Sequence, residues 1–341
     1  MKSAFLTEPK HIEIRETQQP VPKEHEVLVK IAYCGICTLE QRLYDGQRKI
    51  YYPIVPGHEA SAVVVDVGSE VMTDVHVGDH VVLDLVNRCH ACPACLSGSS
   101  NLCDNRFKKG QRVLGAFAEY MVVRPEQLQV IPEDLPLDQA SFAEPLSCCI
   151  RSLHRVGVSL GDTILVSGAG TMGLLHVKAA LAMGSRVIVS DIVRQRLDDA
   201  KRIGADAVVD AADSNAFTTE VKRLTRNRGV DACIVTTPSH AAAETAFSVL
   251  APGGKLNIYT SYGDKPVLPV DMNTIHRNEF IVTGTEGRSE FDFHTAVRAL
   301  ANRKISVDDL ISSIYPLEKI SDAVEVALEG KLYRVLVKMG E

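Results

Sequence analysis

Apolar and polar positions change rhythm partway along the chain. Up to about residue 151 the apolar residues come in short runs, at 26–33, 60–67, 80–83 and 118–123, broken by Pro and Gly. Runs of that length between turn residues read as strands, so this half predicts a mostly-β domain. From about 156 to 286, β-branched runs at 163–167, 187–191, 207–209, 230–236, 255–259 and 280–284 alternate with segments of helical spacing. Six strands with intervening helices are what a doubly wound parallel sheet requires. Beyond 288 the pattern predicts helices over 291–302 and 319–330 and a closing strand over 334–338, a tail expected to fold back onto the first domain. The fold class is therefore α/β, with a discontinuous domain at 1–152 and 288–341 and a second domain at 153–287.

Within the second domain, Gly168, Gly170 and Gly173 fit G-x-G-x-x-G between an apolar strand and a helical segment. Glycines there let the backbone turn tightly and approach a pyrophosphate, while the helix N-terminus supplies unpaired N–H groups and positive dipole. The next strand ends in Asp191, about 20 residues on, where a carboxylate can bind a ribose 2′-hydroxyl. Strand, turn, helix and acid together point to a dinucleotide, with an S-adenosylmethionine-type unit or a plain packing turn as the alternatives. Asp191 favours NAD, because a fixed carboxylate repels the 2′-phosphate of NADP; Arg194 and Arg196 nearby blunt that inference.

A length of 341 residues suits two domains with cores of their own. The net charge of −6 and the lack of a basic block argue against a nucleic-acid partner. No apolar run reaches membrane-spanning length, and the first residues lack the apolar core of a signal peptide, so a soluble cytoplasmic protein is expected. In that setting the nine cysteines are better read as metal ligands than as disulfides.

Cys89-x2-Cys92-x2-Cys95-x7-Cys103 has the closeness that a tetrahedral four-sulfur zinc needs, and a complete shell makes its role structural. An iron–sulfur site would have a shorter last gap followed by Pro, whereas Asp104 follows Cys103. His90 is left as a solvated side chain. A second constellation is dispersed: Cys34-Gly-Ile-Cys37, Gly57-His58-Glu59 and Ala143-Glu144-Pro145. Mixed S, N and O donors suit a catalytic zinc with an open position. Cys34 and Cys37 could instead be a redox pair, an alternative weakened because no clear helix follows them to lower a thiolate pKa.

These residues resemble the medium-chain zinc-dependent alcohol dehydrogenases, in particular the sorbitol (polyol) and threonine dehydrogenase branch. The resemblance rests on Gly35-Ile36-Cys37, Gly57-His58-Glu59, Val77-Gly78-Asp79, the four-cysteine lobe ending Asn101-Leu102-Cys103, Glu144-Pro145-Leu146, Ile203-Gly204-Ala205-Asp206 and Gly287-Arg288 followed by Phe291. It implies a GroES-like domain carrying two zinc ions, a Rossmann domain binding NAD, and an active site in the cleft between them. Cys37, His58 and Glu59 would hold the catalytic zinc, with Glu144 as a fourth ligand, direct or through water. Gly168, Gly170, Met172 and Gly173 would meet the phosphates, Asp191 and Arg196 the adenosine ribose, and Thr260, Ser261, Thr285 and Glu286 the nicotinamide end. Relatives with the cysteine lobe are often tetramers, so a homo-oligomer, tetramer or dimer, is expected.

Three positions depart from the family. Leu39 stands where a relay Ser or Thr is usual, with a hydroxyl at Thr38 instead; Arg42 stands where many members carry a relay His; and Ala62 replaces a Gly. The proton from the alcohol would then leave through Glu144, Thr38 or water. Arg42 could read an anionic substrate or form a rim pair with Glu40 or Asp45, and Tyr44, Arg48, Tyr51 and Arg288 are candidate pocket walls. The expected reaction is oxidation of a secondary alcohol of polyol, cyclitol or sugar-phosphate type to a ketone, with L-threonine or another amino alcohol as the alternative. A non-catalytic NAD-binding sensor or structural relative is the competing class.

Overall fold

A computed structural model describes residues 1–48, 51–106, 114–263 and 266–340 of the chain. It forms two compact units, Met1–Ser147 with Arg288–Glu341, and Cys148–Gly287. The chain passes from the first to the second within the helix Ala143–Arg155. Among the described residues no helix is long and apolar enough to cross a membrane.

The first unit is built on a seven-stranded sheet. Its order is Ile311–Pro316, Arg334–Lys338, Val27–Gly35, Glu59–Val67, His80–Leu83 and Leu128–Val130, with Tyr120–Val123 also pairing Val27–Gly35. A two-stranded sheet, Lys2–Glu8 with His11–Glu16, accompanies it. Arg334–Lys338 runs antiparallel to Val27–Gly35, which returns the C-terminal tail to the first unit. Val29, Ile31, Ala62, Val81 and Val337, all without exposure, belong to one core cluster on these strands. The register that matters most sets Gly35 directly opposite Glu59. Because antiparallel partners face each other across a few ångströms, Cys37, two residues past Gly35, is brought to the His58–Glu59 corner. The strand expected from residue 118 starts at Tyr120, and Ala118 makes only an isolated bridge to Ser3.

The second unit is a six-stranded sheet, all parallel, in the order Ala207–Asp210, Arg186–Asp191, Thr163–Ser167, Val230–Val235, Leu250–Ile258 and Ile281–Gly284. This is the doubly wound order, in which the strand carrying the glycine turn lies at the reversal point. Ile164, Leu165 and Val166 are all fully buried, as a strand covered on both faces requires, which is why it reads as a continuous apolar run rather than an alternation. The fifth strand begins at Leu250, earlier than expected, because it runs on through Pro252, Gly253 and Gly254.

Candidate metal centres and nucleotide turn

The Gly35–Glu59 pairing makes the first centre. A Cβ on Gly35 would lie 2.2 Å from Glu59 Oε2, so only glycine lets that carboxylate sit against the neighbouring strand. Gly57 turns the chain just before His58 at φ +93, where a Cβ would meet the Phe117 backbone nitrogen at 2.9 Å. The result is that one ligand atom each from Cys37, His58 and Glu59 lies within 4.8 Å of the others.

Buried charge around this cluster fixes its geometry. Glu40 is 2% exposed and accepts from His58 Nδ1 at 2.8 Å, from the Cys37 amide at 3.1 Å and from the Gly57 amide at 3.3 Å. Holding Nδ1–H on a carboxylate leaves Nε2 as the lone pair available to a metal. Arg334 donates to the Ile36 carbonyl at 2.7 Å and its Nη2 lies 3.1 Å from Glu59 Oε1. That contact is an ion pair without hydrogen-bond alignment, so Glu59 Oε1 is buried with no hydrogen-bond partner. Burial raises the Cys37 thiol above its usual range, and the Glu59 charge adds to this. Burial likewise pushes Glu59 up to about 7 against the pull of Arg334. Burial alone would lower His58, but Glu40, Cys37 and Glu144 outweigh it and hold the imidazole well above its usual value. A thiolate, an imidazole and a carboxylate with an orphaned oxygen are together a donor set that a zinc ion fits.

Glu144, at the start of the helix Ala143–Arg155, places Oε1 4.0 Å from His58 Nε2, and Arg288 pairs with that same oxygen. Thr38 is exposed at the first position of the helix Thr38–Tyr44, and Arg42 is half-buried in its last turn.

In the second centre the sulfurs of Cys89, Cys92, Cys95 and Cys103 lie within 4.8 Å of one another, and none is in a disulfide. Backbone amides aim at them: Cys92 N at Cys89 Sγ and Asn105 N at Cys103 Sγ, both 3.3 Å. Such N–H groups favour thiolate, and the Ala91 and Cys92 amides bring Cys89 down to about 6. Burial and the neighbouring thiols push Cys95 up to about 12. Four sulfurs this close ionise together only around a cation, and a four-sulfur shell suits a structural zinc. His90 is exposed, as expected of a solvated side chain.

The nucleotide turn follows the strand Thr163–Ser167. Gly168 takes φ +103, and a Cβ on Gly173 would stand 1.9 Å from the Gly168 carbonyl oxygen, so strand and helix pack through bare backbone. Gly170 caps the helix Thr171–Ala182 and has open space where a Cβ would be. Asp191 accepts from the Ala169 amide at 2.7 Å and the Val193 amide at 2.8 Å, tying the acid to the turn. Met172 presents its carbonyl to His176 Nδ1 at 2.7 Å. Arg196 lies in the helix Arg194–Arg202. Thr260 and Ser261 follow the strand Leu250–Ile258, and Glu286 is exposed in the segment that follows Ile281–Gly284. The Thr285 hydroxyl exchanges hydrogen bonds with the Asn257 amide at 2.9 and 3.1 Å.

Several expectations need correction. A helix does follow Cys34 and Cys37: it starts at Thr38 with Cys37 as its N-cap. What disfavours a redox pair is burial, which raises both thiols, Cys34 well above its usual range. Glu40 cannot be a rim partner of Arg42, because it is turned inward onto His58. Tyr44 is buried with its hydroxyl 3.1 Å from Glu325, which argues against an open pocket wall, whereas Arg288, also buried, reaches Glu144 as an ion-pair partner. Sequence reasoning missed Glu40 and Arg334 as partners of the ligands. The Cys37–Glu40 spacing of a reciprocal helix cap was the available sign for the first.

Residues 23–133 match the family model "Alcohol dehydrogenase GroES-like domain" and residues 171–302 match "Zinc-binding dehydrogenase". The chain is 32% identical to a sorbitol dehydrogenase from Bacillus subtilis, over 97% of this chain and 94% of that protein. Among solved structures it is similar to galactitol-1-phosphate dehydrogenase from Escherichia coli, with TM-score 0.87 and 29% identity over 99% of this chain and all of that one. It is also similar to a chain from Sinorhizobium meliloti 1021 solved bound to NADP, with TM-score 0.90 and 29% identity over 99% and 98% of the two chains. The chain belongs to the medium-chain zinc-dependent alcohol dehydrogenases, in their polyol branch.

Proposed function

We propose that the protein oxidises a secondary alcohol of polyol, cyclitol or sugar-phosphate type to a ketone, using NAD and a zinc ion held by Cys37, His58 and Glu59. The observation that carries this is the convergence of those three donors, with Glu144 alongside. When bound, the ion supplies Lewis acidity to the alcohol hydroxyl and the nicotinamide accepts hydride from the carbinol carbon. This chain's own part is to orient and to move a proton. Glu40 keeps His58 in the metal-binding tautomer, Arg334 holds Glu59, and the Glu144 carboxylate receives the hydroxyl proton, a role that Leu39 cannot fill.

The polyol and sugar-phosphate class is supported by the names of the relatives from Bacillus subtilis and Escherichia coli. NAD is supported by Asp191, an acid at the end of the second strand that the Ala169 and Val193 amides tie to the turn, the place in such a unit where a carboxylate takes a ribose hydroxyl. Arg194 and Arg196 are the residues that would accept a 2′-phosphate, and the NADP-bound relative makes both nucleotides part of the test. The four-sulfur lobe holds a second, structural zinc, and the assembly is a homo-oligomer, tetramer or dimer.

The deciding experiment measures metal content and reduction of NAD and NADP on one sample, across polyols, cyclitols, sugar phosphates, L-threonine and simple alcohols. About two zinc ions per chain with turnover on a polyol or its phosphate supports the proposal. Preference for L-threonine replaces the substrate class, and about one zinc without turnover on any alcohol favours a non-catalytic nucleotide-binding relative.

A further inference from the structure

We propose that Asp84, Arg88 and Arg288 form a buried ion-pair ladder by which the cysteine lobe positions Glu144 beside the Cys37–His58–Glu59 cluster. This deepens the function above and rests on its reading of Glu144.

The ladder starts where the chain re-enters the first unit. Ser289 caps the helix Glu290–Ala301 and exchanges bonds with Asp292, the Ser289 amide to Oδ2 at 3.0 Å and the Asp292 amide to Oγ at 3.3 Å. A reciprocal cap of this kind fixes the chain on both sides of it. On one side is Arg288, which pairs with Glu144 Oε1 and, through Nη2, with Asp84 Oδ1 at 2.7 Å. The other Asp84 oxygen accepts from Arg88 Nη1 at 2.7 Å, and Arg88 Nη2 donates to the Arg288 carbonyl at 3.0 Å, which closes a ring. All four side chains belong to buried residues, Asp84, Arg88, Glu144 and Arg288 being 4 to 6% exposed.

On the other side of the cap, Glu290 grips the lobe. Its Oε2 accepts from Ser100 Oγ at 2.6 Å and lies 3.8 Å from Arg88 Nε, and its Oε1 is 3.4 Å from His90 Nδ1. Arg88 and His90 flank Cys89, and Ser100 lies between Cys95 and Cys103. The lobe and Glu144 are therefore joined by charges that cannot move singly, since withdrawing one partner strands its neighbour as an uncompensated buried charge. Asp84 is the member that divides Arg288 between two carboxylates. Without that charge the pull of the guanidinium falls more fully on Glu144, and Glu144 is drawn away from its place.

Cadmium-113 exchanged into the holoenzyme gives separate resonances for the four-sulfur and the mixed sulfur–nitrogen–oxygen site. In Asp84→Asn and in Glu290→Gln the mixed-site resonance should shift and kcat should fall about 10- to 100-fold, the range for residues that orient a metal-site group. Neither change should add to the effect of Glu144→Gln. A mixed-site resonance and kcat at wild-type values in both variants overturns the ladder. If Glu144→Gln itself leaves the resonance and the pH profile of kcat unchanged, the reading of Glu144 fails first and takes this proposal with it. Should Asp84→Asn not accumulate as folded protein, Glu290→Gln, whose side chain is 42% exposed, carries the test.

Discussion

Glu40 Oε1 stands 2.8 Å from His58 Nδ1, and the same side chain accepts the amides of Cys37 and Gly57. One buried carboxylate therefore sets both the tautomer of one ligand and the backbone around two. Glu40→Gln keeps the shape, but its amide nitrogen can donate and so no longer imposes a proton on Nδ1. The expected result is metal affinity lower by about 10- to 100-fold at the mixed site, read by competition with a chelator and metal analysis. Wild-type retention would mean that the tautomer is set elsewhere.

The two glycines of the nucleotide turn should fail in different ways. Gly170 has open space and φ −74, so Gly170→Ala should fold with a loss of about 1 kcal/mol at a cap position. Its added methyl occupies the room a pyrophosphate needs, and nucleotide affinity should drop by tenfold or more, on the order of 1.4 kcal/mol. Gly173→Ala would force a carbon against the Gly168 carbonyl oxygen and should lower the unfolding midpoint instead. Dinucleotide titration beside a urea curve separates the two, and equal behaviour of the variants would count against a phosphate-binding role for the turn.

Removing one thiol from the lobe should leave the mixed site loaded. Cys103 is 1% exposed and its sulfur accepts the Cys89 and Asn105 amides. In Cys103→Ser one of the four sulfurs is lost, and metal content should fall from about two to about one per chain while the affinity at Cys37, His58 and Glu59 falls less. Total metal with a chelator-release profile measures this. Loss of both ions together would show a stronger dependence of one centre on the other than the ladder through Asp84 describes.

Local pattern carried much of this architecture, and it stopped where contacts are made by single charges. The parallel strands are continuous apolar runs because both faces are covered, and they were legible for that reason. The four-cysteine spacing closes a site within one short segment, so no fold was needed to see it. Cys37 and His58 meet only because Gly35 pairs with Glu59 across the sheet, a register that period-two patterning does not print. Arg334 opens the strand Arg334–Lys338 and Asp84 follows the strand His80–Leu83. Their partners, Glu59 and Arg288, come from distant parts of the chain, and neither periodicity nor motif spacing reports such pairing.

His176 supplies a pH dependence that can be isolated by one substitution. It is wholly buried in the helix Thr171–Ala182, donates from Nδ1 to the Met172 carbonyl, meets Tyr259 edge-on and leaves Nε2 without a hydrogen-bond partner. Burial lowers its pKa from 6.5 to about 4, with the bond to Met172 opposing the shift. Below pH 6.5 the unfolded chain takes a proton that the folded chain refuses until about pH 4, so the unfolded state binds more protons in that window and stability falls with falling pH. The full effect is on the order of 3 kcal/mol, reached near pH 4. Above pH 6.5 it vanishes. His176→Leu removes the titrating group, and its loss of one hydrogen bond is offset by removal of the buried, unpaired nitrogen. Urea midpoints for both proteins at pH 7.5, 6 and 5 should therefore start close together and diverge, with the wild type falling faster. Parallel curves would assign the acid sensitivity to other groups.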